Sequence, residues 1–262
     1  MSGQAMSESN KLAIQDSKYA DKDRKTANEM ALEEARKQLL PEYDKNANDP
    51  SRVYNAKSIV VDKAWSRIHR MVTACLHKDD PIDAIIESVF EDDWRVFVIP
   101  LIKQVSPESK NAAFRITCAM SVNFMVKFFL MCRMKKTIKA FDESKGKHFG
   151  IPIEIITRCL ELFAIQLPAR PGSDGTPNYV MSKQNKDKMV VHILLLFMMA
   201  SGPSMKIADI GSIADALKVP MNDCSSFLKY AGCSIARKGN NLSATLQTPL
   251  TFPKAGRRGK AR

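Results

Sequence analysis

Residues able to do covalent or metal chemistry are present but scattered. The four histidines, His69, His77, His148 and His192, share no zinc-ligand spacing with one another or with the cysteines. His192 stands in the run VVHILLL, where an apolar helix makes it a core residue rather than a ligand or base. Six cysteines, Cys75, Cys118, Cys132, Cys159, Cys224 and Cys233, form no C-x-x-C pair. A thiol among apolar neighbours behaves as a small hydrophobe. A cysteine nucleophile also needs a positioned base, which no pattern here supplies. Neither a G-x-x-x-x-G-K-[ST] loop nor a G-x-G-x-x-G turn occurs, so no phosphate cradle is encoded in the usual way. Glu91, Asp92 and Asp93 are adjacent carboxylates, and they read as a charge run at a helix start rather than as a metal cradle. The expectation is a chain without an active site of its own, with no metal, no cofactor and no small-molecule substrate.

The chemistry that remains is electrostatic. Forty Lys and Arg face 28 Asp and Glu, a net charge of +12. Such a balance favours polyanionic partners. Residues 1–50 are slightly acidic, so the excess lies downstream. One concentration is Arg133 to Lys147, with Lys135, Lys136 and Lys139 at its centre. The other is KAGRRGKAR, residues 254–262, with Lys254, Arg257, Arg258, Lys260 and Arg262. Lysine and arginine neutralise phosphates and release counterions. The competing reading is a solvated face and a solubilising tail.

These cations need elements to hold them. Apolar content of 45% is ordinary for a globular protein. Residues 20–40 read as an exposed helix, and PEYDKNANDPSRVYNAKS, residues 41–58, as an extended linker. A helix is expected over 62–76. From Pro81 helical periodicity is dense: Ile82, Ile85, Ile86 and Val89 share a face. Further helices are expected at 92–104, 109–136 and from Pro152. The helix over 109–136 is apolar on most sides and must be surrounded. The apolar run Met189–Ala200 is too short to span a bilayer, and Asn123, Lys127 and Arg133 interrupt Ile116–Met134, so no membrane partner is expected. Residues 166–181, QLPARPGSDGTPNYVM, read as a break between two modules.

The second module is more legible. Ser182 can cap a helix that ends at Gly202-Pro203. A helix over 209–217, a turn at Val219-Pro220 and a third helix capped by Asn222 or Asp223 follow. Two strands, 233–237 and 242–246, flank the turn residues Lys238-Gly239-Asn240-Asn241. Helices followed by a hairpin is the winged-helix plan; a generic small α+β module is the alternative. The third helix offers Lys229 as its only cation, poor equipment for reading bases. Lys206, Lys218, Lys229, Arg237 and Lys238 are therefore assigned to phosphate contact from turn and wing.

Four stretches resemble the forty-nine-kilodalton-type subunit of RNA polymerase I. They are LPEYDKNANDPSRVY (40–54), FGIPIEIITRCLELF (149–163), YVMSKQNKDKMVVHILLL (179–196) and the end, from LKYAGCSIARKGNN to the basic terminus. The resemblance implies a mainly α fold: tandem winged helices with short hairpin wings behind a partly disordered helical linker. On that basis 1–60 is a charged segment and linker, 61–165 the first module, 166–253 the second and 254–262 the tail. It further implies a nuclear, nucleolar protein that binds DNA, contacts other polymerase I subunits and supports initiation and elongation of rRNA transcription. No strand-rich segment precedes Leu40 to match the family's N-terminal dimerisation barrel, so the chain reads as a short form or a fragment. The rival function is a protein-interaction scaffold with little DNA binding of its own. An enzyme acting on nucleic acid has no motif in its favour.

Overall fold

The computed structural model describes residues 27, 29–78, 80–89, 97–139, 146, 150–168 and 177–252. Two units separate: Met1–Gln38 with Pro253–Arg262, and Leu39–Phe252. Residues 29–39 form a helix, α1. The second unit holds the core and all elements that follow.

The stretch expected to be an extended linker is folded. Tyr43 and Tyr54 form a bridge, and the Asp44 amide donates to the Val53 carbonyl at 2.9 Å. Asp49 caps the 3-10 turn Pro50–Arg52, and Asn55 caps α2, Ala56–Ile59. Val53, Tyr54, Ala56, Ile59 and Val60 are all buried. Prolines and capping residues shape this segment into short turns, and its apolar residues anchor it.

Helix α3, Asp62–Leu76, is amphipathic and buries Ala64, Trp65, Ile68, Val72 and Cys75. After it come α4, Pro81–Val89, and α5, Ile99–Lys103. Residues 90–96, with the start of the helix expected at 92, lie outside the described residues. Ala112–Cys132 is α6, shorter at both ends than the pattern predicts. By length and apolarity it could cross a membrane, but fifteen of its residues are buried within the protein. It packs between α3 and α8, Lys183–Ser201, a second helix apolar on every side. This pair is the centre of the core.

Two short antiparallel sheets flank it. β1 is Ile138–Lys139, β2 Ile165–Leu167 and β3 Asn178–Val180, in the order β1-β3-β2. Between β1 and β2 lies α7, Ile153–Phe163, entered through Pro152. Residues expected to be a break thus include paired strands: Gln166 stands opposite Tyr179. Three-residue strands on either side of a Pro/Gly-rich stretch carry too little alternation to register as a pattern.

The second sheet has β4, Lys206–Ile207, β5, Cys233–Lys238, and β6, Asn241–Leu246, in the order β4-β6-β5. Helices α9, Ile210–Leu217, and α10, Met221–Tyr230, separate β4 from β5. The Ser182 hydroxyl accepts from the Asn185 amide, as the sequence suggests, and the Asp209 carboxylate accepts from Gly211. Gly202 ends α8 at φ +120°. Pro220, rather than Asn222 or Asp223, occupies the cap position of α10, and its fixed φ starts the helix without a side-chain bond. Gly232 turns the chain at φ +88°; a Cβ there would collide with the Leu250 side chain.

Candidate nucleic-acid interface

The two halves of the unit share one order: long helix, short strand, helix, then a hairpin whose second strand is central. In the first half these are α6, β1, α7 and β2–β3. In the second they are α8, β4, α9–α10 and β5–β6.

Arginines at both ends of α6 join the halves. Arg115 donates from Nε to the Ala200 carbonyl at 3.0 Å and from Nη2 to the Ser201 carbonyl at 3.1 Å. It thereby satisfies orphan acceptors at the end of α8. Arg133 donates from Nη1 to the carbonyls of Leu217 and Lys218, at 3.2 and 2.9 Å, and caps α9 in the same way. Lys186 Nζ donates to the Arg133 carbonyl at 2.7 Å.

These bonds gather charge that is dispersed in sequence. Lys218 is brought to Arg133, and Lys135 and Lys136 follow directly along the chain. Lys135 and Lys186 both act electrostatically on the Cys132 thiol, although burial outweighs them and pushes that thiol up to about 12. Arg133, Lys135 and Lys186 thus meet at the junction, with the Lys218 backbone bonded to Arg133 and Lys136 next to Lys135 in the chain. Lys135, Lys136 and Lys218 are exposed there. Sequence reasoning missed Lys186, whose place depends on a contact spanning 53 residues.

The other predicted cations are placed separately. Lys139 is exposed on β1, and Lys206 is exposed on the edge strand β4. Lys229 lies in the last turn of α10. Arg237 and Lys238 sit at the hairpin tip, opposite Leu242 and Asn241. Lys206 pairs with Thr245, four residues down β6 from Asn241, or about 14 Å at strand rise. It does not share the hairpin tip. Lys254, Arg257, Arg258, Lys260 and Arg262 lie outside the described residues, as do Lys145 and Lys147.

Charge along α10 is polarised. Asp223 opens the helix and lies close enough to Asp187 to help raise its carboxyl, after burial, which raises it most, and Lys183, which lowers it. Helix N-terminal residues are those that reach base edges in helix-turn-helix docking. A carboxylate pair there, partly offset by Lys183, disfavours phosphate, while Lys229 marks the opposite end. This distribution favours backbone contact over base reading.

The cysteines and His192 lie in the interior. All six cysteines are buried free thiols, and burial raises the Cys118, Cys132, Cys159, Cys224 and Cys233 thiols. His192 is buried, edge-on to Phe163 at 5.1 Å. Neither of its ring nitrogens has a partner in hydrogen-bonding geometry. Burial, helped by Lys188 and Arg158, pulls it down to about 3, and the nearby Leu39 backbone opposes this only weakly. Among the described residues no three His, Cys, Asp or Glu side chains cluster to hold a metal.

A family model described as A49-like RNA polymerase I associated factor matches residues 1–253. The match spans nearly the whole chain, and the protein belongs to that family. A search of curated proteins returned no match.

Proposed function

We propose that this member of the A49-like family serves RNA polymerase I as a non-catalytic subunit that binds DNA through two winged helices. The modules are residues 112–180 and 183–246, which moves the boundary from 165/166 to the far side of the first hairpin. In favour of this reading, both halves use one helix–strand–helix–hairpin order, and both sheets place the last strand in the middle. Its role in initiation and elongation is positional and electrostatic: it holds DNA while the polymerase core does the chemistry, in the nucleus and nucleolus.

One observation carries the proposal: the cluster of Arg133, Lys135, Lys136, Lys186 and Lys218 at the joint between modules. Five cations at one seam suit a phosphate backbone. Carboxylates at the start of α10 argue against sequence reading. Lys229, Arg237, Lys238, Lys206 and Lys139 are proposed as outlying phosphate contacts, and the 254–262 tail as a further one.

The test is anisotropy of a labelled duplex against the full chain across a salt series, beside Lys135→Gln/Lys136→Gln/Lys218→Gln. Native binding should weaken steeply with salt, with little preference between sequences. Three lost phosphate contacts should lower the log–log slope by about 2 to 3. Absence of duplex binding at low salt would favour the scaffold reading, in which the modules dock on partner subunits.

A further inference from the structure

In the second half of the unit α10 is the helix before the hairpin, and it turns Asn222, Asp223, Ser226, Lys229 and Tyr230 to solvent. Its counterpart in the first half, α7, is chemically unlike it. Helix α7 carries Glu154 and Glu161, and Arg158 is its one cation. Arg158 is turned inward: Nη2 donates to the Ser58 carbonyl of α2 at 2.9 Å, and Nη1 lies 3.7 Å from Glu161. A phosphate backbone laid along α7 would meet two carboxylates and no available cation.

Beside α7 lies α3. Its Lys63, Arg67 and Arg70 recur at i, i+4 and i+7, which puts them on one helix face. All three are exposed, while the opposite face buries Trp65, Ile68 and Val72. Between the helices runs a groove of about 460 Å³, lined by Asp62, Lys63, Ser66, Arg67, Arg70 and Glu154. Arg67 Nη1 donates to both Glu154 carboxylate oxygens at 3.0 Å, which fixes the guanidinium at the groove wall. Asp62 is drawn towards Lys57 at 3.7 Å. These two carboxylates are therefore engaged with Arg67 and Lys57, and Lys63 and Arg70 add charge beyond them. From Lys63 to Arg70 the helix rises about 10 Å, the axial span of about three phosphates on one strand.

We propose that the Lys63–Arg67–Arg70 face of α3 is a second nucleic-acid backbone contact, taking the place that α7 cannot fill in the first module. The inference rests on the DNA-binding reading above. The contact adds affinity without sequence preference.

The test compares Lys63→Gln/Arg67→Gln/Arg70→Gln with the native full chain by duplex anisotropy over a salt series. With Arg67 held by Glu154, Lys63 and Arg70 carry the contact: the slope should fall by about 1 to 2 and binding should weaken roughly tenfold. The charge-conserving Lys63→Arg/Arg67→Lys/Arg70→Lys should restore the native slope. Should the glutamine triple lose its fold by circular dichroism, Ser66→Glu carries the test, because it sets a negative charge in the groove; it should weaken binding in the same direction. Unchanged slope and affinity in the folded triple, with loss in the junction triple, would overturn this inference and leave the DNA-binding reading intact. No binding by the native chain would overturn both.

Discussion

The Tyr54 hydroxyl donates to the Ala231 carbonyl at 2.8 Å, joining residues 177 apart in sequence. Ala231 closes α10, so a residue ahead of every long helix of the unit satisfies an acceptor at the end of the second half's last helix. Tyr54→Phe removes the donor and leaves a buried carbonyl without it, at a cost of about 1–2 kcal/mol. Urea unfolding should show a lower midpoint at unchanged slope. An unchanged midpoint would mean that water replaces the hydroxyl.

Stability should fall on the alkaline side. Burial raises the thiols of Cys132, Cys224 and Cys233 to about 12, and those of Cys118 and Cys159 further. In the unfolded chain they ionise near 9. A raised folded pKa gives stability that is full below the unfolded value and is lost as pH rises past it. Each thiol then removes up to about 1.4 kcal/mol per pH unit. Tyr54, also raised by burial, joins above about pH 10. The urea midpoint should decline steadily once pH passes about 9; a flat profile would contradict the burial of these groups.

The acid side is set in part by His192. Its folded pKa is depressed to about 3 from 6.5, so its contribution is complete above pH 6.5 and is lost as pH falls through that window. His192→Leu removes the titration and two unpartnered ring nitrogens together. The variant should be at least as stable as the native chain at pH 7. It should keep its midpoint down to about pH 5, where the native chain loses on the order of 1–2 kcal/mol. Parallel acid profiles for the two proteins would sink this account.

Lys218 holds a left-handed conformation, φ 52° and ψ 43°, at the end of α9. A residue with a Cβ pays about 1–2 kcal/mol there, and glycine avoids most of it. Lys218→Gly should therefore gain about 0.5–1 kcal/mol in thermal stability. The same variant should bind duplex DNA more weakly with a shallower salt slope. A gain in stability without loss of binding would assign Lys218 no part in the interface.

Local signals were legible in the sequence, and contacts between distant residues were not. Ser182, Gly202 and Asp209 mark helix ends because capping is decided within a few residues. The 233–246 hairpin is readable because each strand is six residues long. The fold of residues 43–60 escaped, because Val53, Tyr54, Ile59 and Val60 follow neither helical nor strand spacing; a surface far along the chain buries them. The junction cluster escaped for the same reason, since Lys186 and Lys218 reach Arg133 only after α6, α8 and α9 have packed. The α3 face was open to reading, as Lys63, Arg67 and Arg70 stand at helical spacing. It was passed over because three cations in fifteen residues do not raise local charge density far.

In both sheets the central strand is the last to be made. Among the described residues β1 and β2 pair only with β3, and β4 and β5 only with β6. During synthesis neither early strand has a hydrogen-bonding neighbour until its third partner leaves the ribosome. Each sheet can therefore complete its pairing only after its third strand has been made, residues 178–180 in the first and 241–246 in the second. A nascent chain arrested at residue 177 would carry the long helix α6 beside two strand edges that nothing yet covers.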